Sequence, residues 1–543
     1  MGKQNVSRQS RFQAVESTNR TNTPLHDLKS DTDDRLQRRP CIIDLLFIVL
    51  ICCTSSIVTS GQETITIMDR GTNNALLLYK DKPMFKTGPI SEDRVFMYSI
   101  GSSFFNHREW FDYMQKYMFE FGRVYPAHTW HQDQVVQSRK PLYPFQIKHY
   151  TKQGNPVVDI LTPDRQYWSN FSKVLEEAEK KNIVICIQLY QRWYWGNSAA
   201  RNRLFFHRDY NINNIHEIDS RTFWKHTSDS YPNGKLWRIH ENFVKNVLNA
   251  IGGHRNVIID LMNEGSVAEG VTRAWIDRTL EIIQTWEKNK GRDILVGMDI
   301  DHFLQKKDTA NLHWLLEHPG MELIIGEDKW IYSDTNEMIA KRKIYRKPMI
   351  WVNEKANGYM ETFSLTDHPN RRLHYLWLGM MMKVQCLGLY EKGNHTQEHL
   401  LQMPEAKELG NFNRTLMDFF TNIITDYAVL KCRNDIIKKS PKVRQKLALS
   451  SSNEIVIYLH SGFGVEQAGG TELEMTNIEL PEGPVSVRFI HPNTGEISTG
   501  RAIVAGGSVK LALPAFYENL AVYLKGEQSA QHADSSFSQE QCL

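Results

Sequence analysis

The chain has 543 residues, enough for two or three domains, and its 41% hydrophobic and 11% aromatic content is that of a globular protein with a large core. Its first forty residues carry eight Lys/Arg against five Asp/Glu, so they hold the whole formal excess of +3 and the rest is balanced. That balance leaves no electrostatic footprint for nucleic acid, and the seven cysteines show no CxxC or Cys/His spacing that would mark a zinc site.

In chain order, residues 1–40 are polar and read as a disordered tail. Residues 41–60 (CIIDLLFIVLICCTSSIVTS) form the one segment with membrane character, and Arg38 and Arg39 before it keep the N-terminus cytoplasmic. The uninterrupted apolar core, Leu45 to Cys53, is short for a span and suits a signal peptide, whereas a forty-residue leader before it suits an anchor. Both readings stay open. Both export the folded part, as a secreted protein or as a single-pass anchored one with its domains outside.

Residues 75–88 (ALLLYKDKPMFKTG) read as a hairpin around Lys-Asp-Lys-Pro, able to close one end of a barrel. From about residue 95 strands and helices alternate. Strands are expected at Val95 to Ile100, Gly122 to Tyr125, Ile183 to Leu189, Val257 to Met262, Ile294 to Met298, Leu323 to Gly326, Met349 to Val352 and Leu387 to Tyr390. Helices are expected at Arg108 to Phe121, Tyr167 to Lys181, Leu236 to Ile251, Thr272 to Lys288 and Arg371 to Val384. Short apolar strands alternating with amphipathic helices predict an α/β fold, a (β/α)8 TIM barrel over 62–440. An open doubly wound sheet is the runner-up, although no Gly-rich phosphate loop follows any strand. Short strands separated by turns then predict a small all-β sandwich over 441–526, and 527–543 reads as a second disordered tail. Asn170, Asn394 and Asn413 stand in glycosylation sequons.

The run Asn256 to Glu264 (NVIIDLMNE) is an apolar strand that stops at Asn263-Glu264. Ninety residues later PMIWVN, Pro348 to Asn353, stops at Glu354. In a TIM barrel the C-terminal strand ends converge on one face, and by count these are the fourth and seventh, across the mouth from each other. Two facing carboxyls, about 5–5.5 Å apart in a retaining enzyme, are what cleavage of a glycosidic bond requires. Glu327 and Asp328 in GEDKW, with Asp299 and Asp301 after the fifth strand, are rival carboxylates. Aromatic residues crowd the expected mouth. Trp130 follows strand two, and Tyr190, Trp193, Tyr194 and Trp195 follow strand three; such rings suit the C–H faces of sugars. His128 and His131 lack a third partner at metal-ligand spacing.

These motifs resemble clan A of the glycoside hydrolases, the retaining (β/α)8 enzymes, over roughly residues 95–395. The resemblance implies that Glu264 is the acid/base, Asn263 binds the sugar 2-hydroxyl, Glu354 is the nucleophile and Arg123 in FGRVYP supports it. A guanidinium favours the ionised carboxyl beside it, as a nucleophile needs. Asn263, Arg123, His128, Trp130, Tyr190, Trp193, Trp330 and Tyr390 are then the substrate-binding set. The chain departs from the clan where a Trp often ends strand eight, offering Tyr390-Glu391, and where a His-x-Tyr element often follows strand six, offering GEDKW. The sandwich, with its turn His491 to Glu496 (HPNTGE), resembles the collagen-binding-like domain found behind some bacterial barrels. The function expected is a retaining glycoside hydrolase that cleaves O-glycosidic bonds of a poly- or oligosaccharide through a covalent glycosyl-enzyme. It needs no cofactor and no metal, and it meets a membrane only through residues 41–60 if they are uncleaved. The alternative is a non-catalytic surface protein that binds glycan or matrix through a barrel without turnover.

Overall fold

In the computed structural model the described residues are 65–526, apart from 73, 91–93, 101–105, 131–139, 197–200, 216–222, 225–233, 268–269, 328–345, 354–369 and 391–403. Both expected tails, the apolar segment 41–60, His131, Asp328, Trp330 and Glu354 lie outside that set. Among the described residues no helix is long and apolar enough to cross a membrane.

Eight parallel strands close into a barrel. In chain order they are Lys86–Ile90, Phe121–Val124, Val184–Gln188, Val257–Asp260, Val296–Asp299, Leu323–Glu327, Met349–Asn353 and Cys386–Tyr390. Helices on the outside explain why most of these strands read as continuous apolar runs: both faces are covered. Helix Arg165–Lys180 shows the local logic. Asp164 caps it by accepting the Tyr167 N–H, and Tyr167, Phe171, Val174, Leu175 and Ala178 form one buried stripe at helical spacing. Helix Arg273–Lys290 starts on a Thr272 cap to the Trp275 N–H and ends at Gly291, whose φ of 64° suits the left-handed C-cap.

The barrel interior is packed in its lower half by Phe121, Val184, Cys186, Ile258, Leu295, Leu323, Ile325, Ile350 and Cys386. Strands Ile65–Met68, Leu76–Tyr79 and Lys82–Pro83 form a small antiparallel sheet whose Ile65, Leu77, Tyr79 and Met84 join this cluster. The hairpin therefore plugs the N-terminal end of the barrel.

The first strand lies earlier than expected. Val95 to Ile100 is no strand; Arg94–Met97 form a helical turn. Asn170 explains the difference. Its Nδ2 donates to Phe96 O and Tyr98 O, and its Oδ1 accepts the Ile100 N–H, so a side chain satisfies the backbone that a sheet would have satisfied. The strand is instead Lys86–Ile90, which is hard to read because its polar groups are buried against partners: Lys86 bonds Glu120, and Thr87 bonds Asn413. Gly88 is required there, since a β-carbon would lie 1.6 Å from Phe121 O. The ordinals of the fourth and seventh strands are unaffected. Asn170 and Asn413 are both buried, so neither sequon can carry a glycan in this fold.

Further elements escaped the hydrophobic pattern, among them the hairpin Phe145–Tyr150/Pro156–Pro163 after the second barrel strand, helices Thr309–Glu317 and Pro404–Asn422, and strands Glu472–Thr476 and Ile497–Val504. The C-terminal domain is a six-stranded antiparallel sheet facing a three-stranded one. Ile455, Ile457, Val485, Val487, Val522 and Leu524 face the small sheet. The opposite face, with Val456, Tyr458, Ile490, Ala521 and Tyr523, belongs to the barrel's own core cluster. Trp377 stacks on Tyr458 at 5.6 Å, and buried Glu454 accepts the Thr425 and Asp426 N–H groups and the Tyr523 hydroxyl. The sandwich is thus keyed onto the barrel rather than hung from it.

Candidate active site

Toward the C-terminal ends of the strands the barrel interior turns from apolar to polar. Arg123 on the second strand, Gln188 on the third, Asp260 on the fourth and Asp299 on the fifth are all buried, at 0–1% exposure. Buried charges need partners. The Arg123 Nη2 donates to Asp260 Oδ2 at 2.5 Å and to Asn263 Oδ1 at 2.7 Å. Asn263 passes the chain on, its Nδ2 donating to Gln191 Oε1 at 2.9 Å and its backbone N–H to Tyr190 O at 2.9 Å. Gln191 and Asn263 also form a parallel bridge beyond the ends of their strands. Three barrel strands therefore fix the Asn263 amide.

The next residue, Glu264, has φ of 52°. That left-handed conformation costs a non-glycine residue about 1–2 kcal/mol and persists only where its surroundings impose it. Here they do: the Glu264 N–H donates to Asp299 Oδ2 at 3.0 Å. Gly265 permits the tight turn, because a β-carbon there would lie 2.5 Å from Met262 Sδ. Glu264 is 8% exposed, and His302 Nε2 stands 3.9 Å from its Oε1.

Burial pushes the Asp299 carboxyl up to about 7, with the nearby Asp301 charge acting in the same direction and Arg123 against it. Its Oδ1 also accepts the Asp301 N–H at 2.8 Å. Burial likewise raises Asp260, outweighing the guanidinium beside it. The result is a polar ring that brings the Arg123 guanidinium, several carboxyl groups and the strained Glu264 together. A carboxyl so placed is suited to passing a proton to and from a bound molecule.

Of the residues singled out by sequence, Arg123, Asn263 and Glu264 come together directly. His128 and Tyr190 do not line the mouth. Both are 0% exposed; their rings stack at 5.0 Å, His128 Nε2 meets Leu189 O, and the Tyr190 hydroxyl meets His240 Nδ1 at 2.7 Å. Around them pack Trp195, Trp224, Phe243 and Trp275. These rings bury loops against helices and present no face to a sugar. Trp130, 3% exposed, sits edge-on to Tyr210 at 5.1 Å. The backbone of Trp193 opens the helical turn Trp193–Gly196, Tyr390 ends the eighth strand, and Glu327 pairs in register with Val352, while their side chains lie outside the described set. Asp260, Gln191 and His302 were not anticipated. One signal existed for Asp260: a lone acid inside the apolar run VIIDLM must find a buried partner.

No protein-family model matches the chain, and no curated protein matches it in sequence. Solved structures do. A candidate glycoside hydrolase from Bacteroides vulgatus ATCC 8482 is 12% identical, with a TM-score of 0.56 over 86% of this chain and 82% of its own. A structure described as a glycoside hydrolase is 10% identical, with a TM-score of 0.56 over 86% of this chain and 97% of its own. A family 5 glycoside hydrolase from the same Bacteroides strain is 9% identical, with a TM-score of 0.55 over 86% and 96%. At these identities the likeness is one of fold, that of an eight-stranded parallel barrel.

Proposed function

We propose that the protein is a retaining glycoside hydrolase of the clan A type, acting outside the cytoplasm on a poly- or oligosaccharide. The observation that carries this reading is the pair Asn263-Glu264 at the end of the fourth barrel strand, with Glu264 held left-handed by Asp299 and Asn263 held by Arg123. The description of fold neighbours as glycoside hydrolases supports it, and the seventh strand ends at Asn353, immediately before Glu354. Export rests on the sequence of residues 41–60 alone.

In this reading Glu264 gives its proton to the leaving oxygen as Glu354 attacks the anomeric carbon, breaking the glycosidic bond and forming a glycosyl ester. Glu264, now ionised, takes a proton from water, whose oxygen attacks the same carbon and releases Glu354. Arg123 is assigned to hold Asn263 toward the sugar 2-hydroxyl, beside the support of the nucleophile that the clan resemblance implies. The sandwich is assigned to bracing the barrel, because its outer face is part of the barrel core.

The test is a panel of 2-fluoro glycosyl fluorides read by peptide mass spectrometry, beside hydrolysis and binding assays on glycans. A covalent sugar on Glu354, absent in Glu354→Gln, is the expected result. Glu264→Gln should slow turnover mainly for substrates with poor leaving groups. A sugar on Glu327 would overturn the nucleophile assignment. Binding with neither label nor turnover would replace the enzyme by the non-catalytic glycan-binding alternative.

A further inference from the structure

The six-stranded sheet ends on Ile497–Val504, which pairs with Gly483–Ile490 on one side and, among the described residues, with no strand on the other. Such a free edge offers a row of backbone N–H and C=O groups to a further strand, and proteins usually blunt it with charges, proline or short length. This edge runs for eight residues (ISTGRAIV), has no proline and carries one charge, Arg501. It also exposes two large apolar side chains, Ile497 at 46% and Ile503 at 70%.

The arrangement of those side chains is symmetric. Ile497 and Ile503 lie three residues to either side of Gly500, and both share the face of the sheet that carries Ile490 and Pro484, their partners across the existing pair. On the other face between them stand only Ser498, Gly500 and Ala502. An antiparallel pair made with a copy of itself about Gly500 sets Ile497 opposite Ile503 of the second copy, twice over. Thr499 then stands opposite Arg501, Ser498 opposite Ala502, and Gly500 opposite itself. No like charges meet directly, which a sheet pair requires. Neighbouring centres fail: a pair centred on Thr499 sets Ile497 against Arg501, and one centred on Arg501 sets two arginines face to face. Thr499, Arg501 and Ile503 are exposed among the described residues.

We propose that Ile497–Val504 is a docking edge for a second copy of this chain, paired antiparallel about Gly500 so that two six-stranded sheets become continuous. The assignment does not depend on the catalytic reading. A single strand pair is at the small end of specific interfaces, so association falls at about micromolar concentration.

Sedimentation of the full chain from about 1 to 200 µM tests it, together with cysteine cross-linking. A β-carbon at Gly500 would meet only Phe489, at 3.5 Å, so Gly500→Cys is accommodated. Expected are a monomer–dimer equilibrium weakened about tenfold or more by Ile503→Lys and an oxidised Gly500→Cys dimer. The wild-type chain and Ser486→Cys, one strand further in, should give no such dimer. A chain that stays monomeric throughout, a dimer indifferent to Ile503→Lys, or a Gly500→Cys chain that cross-links no more than wild type would each overturn the proposal.

Discussion

At the scale of single residues, the site is dominated by burial. Arg123 and Asp260 are 1% and 0% exposed and bonded at 2.5 Å. Such a pair is poor evidence of net stability, but breaking it strands a charge. Arg123→Met should therefore cost about 3–5 kcal/mol in urea unfolding, and adding Asp260→Leu should recover most of that loss. Asp299 makes a different prediction. Its carboxyl rises from an ordinary 3.8 to about 7 in the fold, so the folded state holds the proton more tightly than the unfolded chain. The stability this contributes is complete below the unfolded value and is lost as pH rises through about 7. Asp299→Asn should remove that falling component between the two values, read as the difference in unfolding free energy from wild type against pH. An unchanged difference across the window would show that Asp299 does not titrate there.

At the scale of elements, the structure rewards patterns that are local and betrays those that are not. Helix Arg165–Lys180 was legible because its buried stripe and its Asp164 cap are both written within a few turns. Strand Lys86–Ile90 was not, because its polar residues are satisfied by Glu120 and Asn413, far along the chain. The same holds within the site. Asn263-Glu264 at a strand end could be read directly, whereas the burial of His128 and Tyr190 follows from helix Lys235–Ile251 packing over them through His240 and Phe243. Glu454 shows what such distant partners are worth. It satisfies two backbone N–H groups of the turn after helix Pro404–Asn422 and the Tyr523 hydroxyl. Glu454→Ala leaves three donors without that acceptor in a part-buried place and should lower stability by about 2–4 kcal/mol, measured by thermal unfolding. Proteolysis at residues 423–430 should quicken with it.

At the scale of the whole molecule, barrel and sandwich share one core. Trp377 and Phe419 of the barrel helices meet Tyr458 and Tyr523 of the sheet. The described part should consequently unfold in a single calorimetric transition whose van't Hoff and calorimetric enthalpies agree. Two separate transitions would show that the sandwich is autonomous. The amino-acid order alone determined the architecture, an eight-stranded parallel barrel followed by an antiparallel domain, because hydrophobic periodicity and turn residues act over a few positions. It also located the fourth and seventh strands, which run to Asp260 and Asn353. Only the tertiary structure decided what surrounds them: that Arg123 closes on Asp260 and Asn263, that Asp299 holds Glu264 left-handed, that the sandwich joins the barrel core, and that Ile497–Val504 stands last in its sheet among the described residues. Those outcomes depend on which distant groups share a buried volume, where an unpaired charge or amide is costly, and that is a property of the closed barrel rather than of any stretch of chain.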